Sequence, residues 1–484
     1  MTQTETQQEY QQDDRISNLP DGILLLILSK LELLRDAART TVLSKRWRHL
    51  LGFRSEIVLD VFDFNTSGYD SKYYMYTTGT DWLVRANASV IEATKSILRQ
   101  NRLHTINLLS VKFYLRDESI GIVRSMDEAM AEKKVLGAEL VIIPEELDVN
   151  CVEDNGMLVY GRRFMTFFGA YPRAFGGLTD LSLGSLRLGE TDMANVLSTC
   201  KKLVYLCLDN CDAGIRSVWR VEHSELAELS ISSCGFERVE LKWLPRLTRS
   251  TCQDWWLPSQ DQYPLSFGYV PQLRTLTLSN RGSTLDKSFK LSEFLGSAII
   301  GELDLCFQCD RIWIQPESSR QLGPVLQNLQ TVRLCYIHEE CDITWTMFFL
   351  EAAPLLKELT IQVWDHECSN EEDERGKYDD IVREIFEKAN PSLKRELHGG
   401  FKHYNLRSLT VGGFQVEDKF MVYIRHIMEA AVNLHVVLLV ESYACPSCSF
   451  RPSTTYPQTI EEKDLIMKQM SEWRSSPVRI EFGD

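Results

Sequence analysis

A short aliphatic motif, L-x-x-L-x-L with other aliphatics allowed, recurs along this 484-residue chain and limits what it can fold into. It stands at Leu103-Ile106-Leu108, Leu178-Leu181-Leu183, Leu203-Leu206-Leu208 and Leu226-Leu229-Ile231. It continues at Leu273-Leu276-Leu278, Ile300-Leu303-Leu305, Leu329-Val332-Leu334, Leu356-Leu359-Ile361, Leu406-Leu409-Val411 and Leu434-Val437-Leu439. Its last two positions alternate, the signature of a strand with one buried face. First positions at 178, 203 and 226, and at 273, 300, 329 and 356, lie 23 to 29 residues apart. A strand returning at that interval cannot bury its face alone and must stack on the next copy.

Between strands the period changes to that of a helix. Met193, Val196, Leu197 and Cys200 precede the strand at Leu203, and Met347, Leu350 and Ala353 precede that at Leu356. Strand and helix alternating at this period predict an α/β leucine-rich-repeat solenoid with a parallel sheet on its concave face. Cys211 and Cys234 follow their strands where the consensus turns the chain, and are read as structural thiols. The gap from Leu356 to Leu406 equals about two periods. It holds the acid-rich stretch His366–Asp380, read as a solvated loop or disordered insertion at about 365–380, with a partner-docking acidic loop as the alternative, and a helical pattern over Ile381–Lys388.

The formal net charge of −15 argues against binding nucleic acid or an anionic membrane. The longest apolar runs, Ile23–Leu28 and Val436–Val440, fall short of the roughly 20 residues of a membrane helix. Met1–Asp14 is polar, lacks an apolar core and reads as a disordered tail. Cytoplasm and/or nucleus is the expected location. The 13 cysteines are then mostly reduced, and the sequons at Asn65 and Asn87 carry no meaning.

Order is expected from Arg15. Pro20 suits a first helical turn, and Ile23, Leu24, Ile27, Leu28 and Leu31 recur at helical spacing. Asp36 is a candidate N-cap for a second helix over Ala37–Val42, and Ser44 for a third carrying Trp47, Leu50 and Leu51. Five aliphatics on the first helix contribute about 7–15 kcal/mol if fully buried, an upper bound. Three helices in so few residues need a partner or neighbouring domain to supply that burial.

The order Leu19-Pro20-Asp21, Ile27-Leu28-Ser29-Lys30-Leu31, Ala38-Arg39-Thr40 and Val42-Leu43-Ser44-Lys45-Arg46-Trp47-Arg48 resembles the F-box of plant F-box/leucine-rich-repeat proteins. The resemblance implies a three-helix module over residues 15–52 that docks on a Skp-family adaptor and, through it, a cullin. Carried over by position, it puts Leu19, Pro20, Ile23, Leu24, Ile27, Leu28 and Leu31 at the adaptor. Val42, Leu43 and Trp47 belong to that contact or to the small core behind it. The sequence departs from the family pattern at Gly22, Leu33-Leu34 and Leu51.

The solenoid is expected over residues 53–405. In residues 406–484, Phe420, Ile424, Ile427, Met428 and Ala431 make an amphipathic helix, and Trp473–Phe482 holds a possible last strand. Residues 412–482 are similar to the FBD-like region of many plant F-box proteins, implying a cap on the solenoid. Cys445-Pro446-Ser447-Cys448 lacks a second ligand pair, His338-Glu339-Glu340-Cys341 reads as surface, and Trp255-Trp256 with Tyr263 reads as packing, with a target-contacting patch as the alternative. No nucleotide, hydrolase or zinc-protease motif occurs, so no catalytic residue and no cofactor is expected. The resemblance implies a target-recruiting subunit of a Skp–cullin–F-box ubiquitin ligase, its target unidentified. The alternative is a repeat scaffold that never engages a cullin.

Overall fold

The computed structural model describes residues 16, 19–31, 40, 44–64, 81–145, 155–214, 217–255, 263–281, 288–339, 341–364, 400–442, 455–473 and 478–483. The tail Met1–Asp14, the acidic stretch, the 381–388 pattern and Cys445–Cys448 lie outside them. Two compact units emerge, one from Met1–Cys151 and Arg162–Leu181, the other from Val152–Gly161 and Ser182–Asp484.

In the first unit, strands β1 (Glu56–Asp60), β2 (Thr105–Tyr114) and β3 (Lys134–Ile143) pair in parallel. The helix Asp81–Gln100 packs on β1, on β2 and on the helix Ile120–Glu132. Ile106, Leu109, Val111 and Phe113 fill the core, whereas Leu108 is only half-buried. The expected Leu103-Ile106-Leu108 frame therefore slips by one residue in this longer strand. The strand β3 carries no L-x-x-L-x-L motif at all. Asn87 is fully buried: its amide donates to Ser119 Oγ at 2.8 Å and its carbonyl accepts from Tyr114 N at 3.0 Å. The Asn87 sequon is thus a core asparagine, held because a buried amide must find partners.

β4 (Asp180–Gly184) falls at the division between the units. The second unit holds β5 (Tyr205–Asp209), β6 (Val218–Glu222), β7 (Glu228–Ser232), β8 (Arg238–Trp243), β9 (Arg249–Gln253), β10 (Leu265–Tyr269) and β11 (Thr275–Ser279). It continues with β12 (Glu302–Cys306), β13 (Thr331–Ile337), β14 (Glu358–Val363), β15 (Ser408–Gly412), β16 (Val436–Val440) and β17 (Arg479–Gly483). The order β5-β7-β9-β11-β12-β13-β14-β15-β16-β17 is one parallel ladder. Its register is set by the motif: Leu206, Leu229, Ser250, Leu276, Leu303, Val332, Leu359, Leu409, Val437 and Ile480 form one row. Every aliphatic of the eight motifs from Leu203 to Leu439 is buried.

Two features depart from the sequence reading. β9 is a full member of the ladder although its motif reads Leu247-Ser250-Cys252; Ser250 and Cys252 are small enough to bury between aliphatic neighbours. From Val218 to Tyr269 the segments between ladder strands are themselves strands, with β6, β8 and β10 forming a separate three-stranded parallel sheet. Elsewhere helices return as expected, at Glu190–Thr199, Phe348–Ala352 and Asp418–Ala430, and a further helix, Ser319–Leu326, was not anticipated.

The turns leaving the ladder share one device. Ser185, Asn210, Ser233 and Asp254 have φ of 54, 49, 50 and 49°. Each stands two residues past the last inward side chain, and short polar residues tolerate this left-handed conformation best. Their N–H groups donate to Asp209, Ser232, Gln253 and Ser279 of the next repeat at 2.9, 2.9, 3.0 and 2.9 Å. Cys211 and Cys234 follow, buried; Cys211 N donates to Cys234 Sγ at 3.3 Å. Burial pushes the Cys211 thiol up to about 12, so it is a protonated packing group.

A second device repeats at His223 and His403, each three residues before a motif. His223 Nδ1 accepts from Glu225 N and Leu226 N at 3.1 and 3.0 Å, and its Nε2 donates to Cys200 O at 3.0 Å. His403 does the same with Asn405 N, Leu406 N and Ala353 O, at 3.3, 3.0 and 3.0 Å. Each ring ties the end of one repeat's helix to the entry of the next strand, and only a neutral ring has the Nδ1 lone pair this needs.

Two outcomes follow from these turns. Gly413 has φ of 67°, and a Cβ there would overlap the carbonyl oxygen of Val363. Gly413→Ala should therefore cost more than about 2 kcal/mol, read as a lowered denaturation midpoint. His403 is buried, which lowers its pKa below the usual value, with the bond to Ala353 O opposing. A lowered folded pKa means the unfolded chain binds protons first, so the stabilisation is complete above about pH 6.5 and is lost as pH falls. His403→Gln should be less stable than wild type at pH 7.5 by about 1–3 kcal/mol, and the gap in melting temperature should narrow towards pH 5.

Candidate docking surfaces

The N-terminal helix Asp21–Lys30 begins directly after Pro20. It packs on the helix Lys45–Leu51, and the buried residues of the pair are Leu24, Leu28, Trp47 and Leu50. Ser44 caps the second helix, accepting from Trp47 N at 3.4 Å. Arg46 joins the two helices: its Nε donates to Asp21 Oδ1 and its Nη2 to Leu19 O, both at 2.7 Å. This latch places the Leu-Pro-Asp corner, and sequence reasoning missed it although Arg46 stands inside the run that carried the resemblance.

The expected adaptor residues therefore separate. Leu24, Leu28 and Trp47 face inward, and Leu19 and Leu31 are half-buried. Pro20 is exposed, as are Ile23 at 44% and Ile27 at 38%. Leu26, at 54%, joins them and was not anticipated. Ile23, Leu26 and Ile27 follow i, i+3, i+4 spacing, so they form one stripe on the solvent side. Isolated apolar side chains at a surface are ordinary; these three lie together on one face of a short helix. Gly22 has nothing within 4 Å of where a Cβ would stand, so no packing demands a glycine there. Val42, Leu43, Asp36 and Leu33-Leu34 lie outside the described residues, and only two helices of the expected three are described.

The second surface is the solvent face of the ladder. Between the buried rows run Glu228, Arg249, Thr275, Glu302, Thr331, Glu358 and Ser408 in one column and Cys207, Ser230, Thr251, Thr277, Asp304, Arg333, Thr360 and Thr410 in the next. Arg333 Nη1 lies 2.9 Å from Asp304 Oδ1 and 3.8 Å from Glu302 Oε2. A cleft of about 540 Å³ opens at the start of the central strands, lined by Arg249, Arg274, Thr275 and Glu302 among others. The face is polar and rich in side chains that hydrogen-bond in either sense.

The other motifs resolve as packing. Trp255 packs tilted against Phe289 and edge-on against Trp313, and Tyr263 meets Phe289 and Phe294, its hydroxyl donating to Glu293 at 3.1 Å. Cys341 is buried, and Trp256 lies outside the described residues. Among the described residues no three His, Cys, Asp or Glu side chains are grouped as a metal site, and no helix is long and apolar enough to cross a membrane.

Residues 157–289 match the family model described as FBD-associated F-box protein At5g56370, LRR repeats. Three Arabidopsis thaliana proteins are similar to the chain. F-box/LRR-repeat protein At3g59250 is 53% identical over 47 residues, 10% of this chain and 11% of that protein. F-box/LRR-repeat protein At1g48400 is 28% identical over 202 residues, 41% of this chain and 39% of that protein. F-box protein At1g10780 is 23% identical over 260 residues, 49% of this chain and 59% of that protein. The matches thus span from about a tenth to three fifths of those relatives' own lengths. By repeat model and by relatives alike, the chain is similar to plant F-box/leucine-rich-repeat proteins.

The Arg46 latch has a local readout. Arg46→Ala should raise amide hydrogen exchange across Asp21–Lys30 about five- to ten-fold, for the loss of about 1 kcal/mol of partly exposed charged hydrogen bonds. Exchange in β11–β16 should stay unchanged.

Proposed function

We propose that this chain is the target-recruiting, non-catalytic subunit of a Skp–cullin–F-box ubiquitin ligase, acting in the cytoplasm and/or nucleus. The stripe of Pro20, Ile23, Leu26 and Ile27 docks on a Skp-family adaptor, and the repeats hold the protein to be ubiquitinated. The carrying observation is the exposed aliphatic stripe on a helix whose other face is already buried. Similarity to Arabidopsis F-box/LRR-repeat proteins supports the same reading. The mechanism is positional: joining adaptor and target through one chain raises the local concentration of target lysines at the ubiquitin-loaded enzyme. No side chain here forms or breaks a bond. Residues 406–484 close the array as an FBD-like cap.

Co-purification with a Skp-family adaptor tests the reading. Ile23 and Ile27 are 44% and 38% exposed, so burying what remains contributes about 1–2.5 kcal/mol, and the desolvation of two introduced carboxylates adds to its loss; Ile23→Asp/Ile27→Asp should weaken adaptor binding at least about 100-fold. Because both side chains face solvent, melting should change by less than about 1 kcal/mol. A wild-type chain that binds no adaptor overturns the ligase reading and leaves the scaffold reading; a double variant that binds normally overturns the assigned face.

A further inference from the structure

Two thiols remain unexplained by packing. Cys306 and Cys335 are register partners on the adjacent parallel strands β12 and β13. Both sit in the column after the last buried aliphatic, and both are partly exposed. They differ from Cys200, Cys211, Cys234 and Cys252, which are buried. Cys207, also partly exposed, faces Ser230 on β7.

We infer that Cys306 and Cys335 form a cross-strand dithiol that oxidises reversibly to a disulfide on the solvent face of the ladder. Neighbouring strands run about 4.8 Å apart, which puts the two Cα atoms inside the roughly 4.4–6.8 Å that disulfides span. The remaining requirement is a Cβ separation nearer about 3.8 Å, so one strand must yield slightly. β13 has that latitude. Its pairing with β14 shifts register between Leu334 and Ile337, which leaves Cys335 out of that ladder, and Tyr336 next to it has φ of 51°. On the other side Phe307 N donates to Cys335 O at 3.0 Å, holding the two cysteines side by side. A bond closed across this spacing is more reducible than a relaxed one, as a reversible pair requires.

The chemistry needs a two-electron oxidant, and hydrogen peroxide is of the right class. The thiolate of Cys306 attacks one peroxide oxygen, the O–O bond breaks, and hydroxide leaves to take up a proton as water. The sulfenic acid formed then condenses with the Cys335 thiol, forming S–S and releasing a second water. Two thiols lose two electrons and two protons, and one peroxide becomes two waters. Cys306 is the attacking group because the Ser279 hydroxyl hydrogen-bonds to its sulfur. Burial, then the neighbouring Cys306, pushes the Cys335 thiol up to about 11, and burial raises Cys306 as well. Oxidation should therefore be slow at neutral pH and quicken as pH rises. The site stands apart from the adaptor reading, since neither thiol is near the N-terminal stripe in sequence or needed by it.

The test uses the reduced full-length chain. It is treated with peroxide at pH 7.0 and 8.5, quenched with N-ethylmaleimide, and peptide-mapped without reduction. A disulfide joining residues 306 and 335 should dominate, form about ten-fold or more faster at pH 8.5, and disappear on dithiothreitol treatment. Cys306→Ser and Cys335→Ser should each leave the surviving thiol alkylated. The wild-type map decides alone should either variant fail to fold. Separate alkylation of both thiols after peroxide treatment overturns the inference, as does coupling of either one to a different cysteine.

Discussion

The register of the aliphatic rows is the constraint on which the rest depends. Leu206, Leu229, Leu276, Leu303, Val332, Leu359, Leu409 and Val437 stack as a single row. A slip of one residue in any strand would send its buried set to the polar face. No strand of five residues could hold that register alone. Each strand inside the ladder is fixed by two neighbours, so stability spreads along it as a sum of interfaces. This is also why irregular repeats coexist with a regular sheet. Ser250 and Cys252 stand where aliphatics are expected, and β9 still pairs on both sides because its neighbours define the slot.

The turns convert that regularity into a continuous backbone. A strand that ends must redirect its chain without leaving N–H groups orphaned. Left-handed Ser185, Asn210, Ser233 and Asp254 solve this by donating into the following repeat. The histidines solve the opposite problem, the entry to the strand, with one ring satisfying two N–H groups and a helix-end carbonyl. These devices use polar atoms at the ends of a hydrophobic array, where burial alone specifies nothing.

How much was legible follows from the same physics. Aliphatic spacing is a strong signal, and it located nine of the ladder and boundary strands together with the helices Glu190–Thr199 and Asp418–Ala430. What it could not see was any strand whose register is imposed by neighbours, such as β9. The acid-rich stretch between Leu356 and Leu406 reads as an insertion rather than a repeat, and β14 and β15, on either side of it, pair directly. At the N-terminus, helical spacing identified the apolar residues but not their two faces. Leu24 and Ile23 look alike in sequence; only the packing of Trp47 and Leu50 and the Arg46 latch tell which one turns inward. The twofold His-x-x-Leu pattern at His223 and His403 was readable in principle, since each stands at the same distance from its motif.

The two docking surfaces differ in kind, and the difference bears on what each suits. The N-terminal stripe is aliphatic, small and non-directional; any contact it makes draws on removing apolar surface from water. The ladder face offers hydroxyls, carboxylates and guanidinium groups held at fixed strand spacing. Such groups are already hydrated and partly paired, as Arg333 is with Asp304. A partner therefore gains little from area alone and must match their geometry, since every mismatched group left buried costs about 1–3 kcal/mol. Discrimination between partners follows from that penalty, because a site of fixed polar groups rejects an imperfect fit far more strongly than an aliphatic one does. An aliphatic helix stripe and a polar sheet face thus differ in the physical force that each offers to a contact.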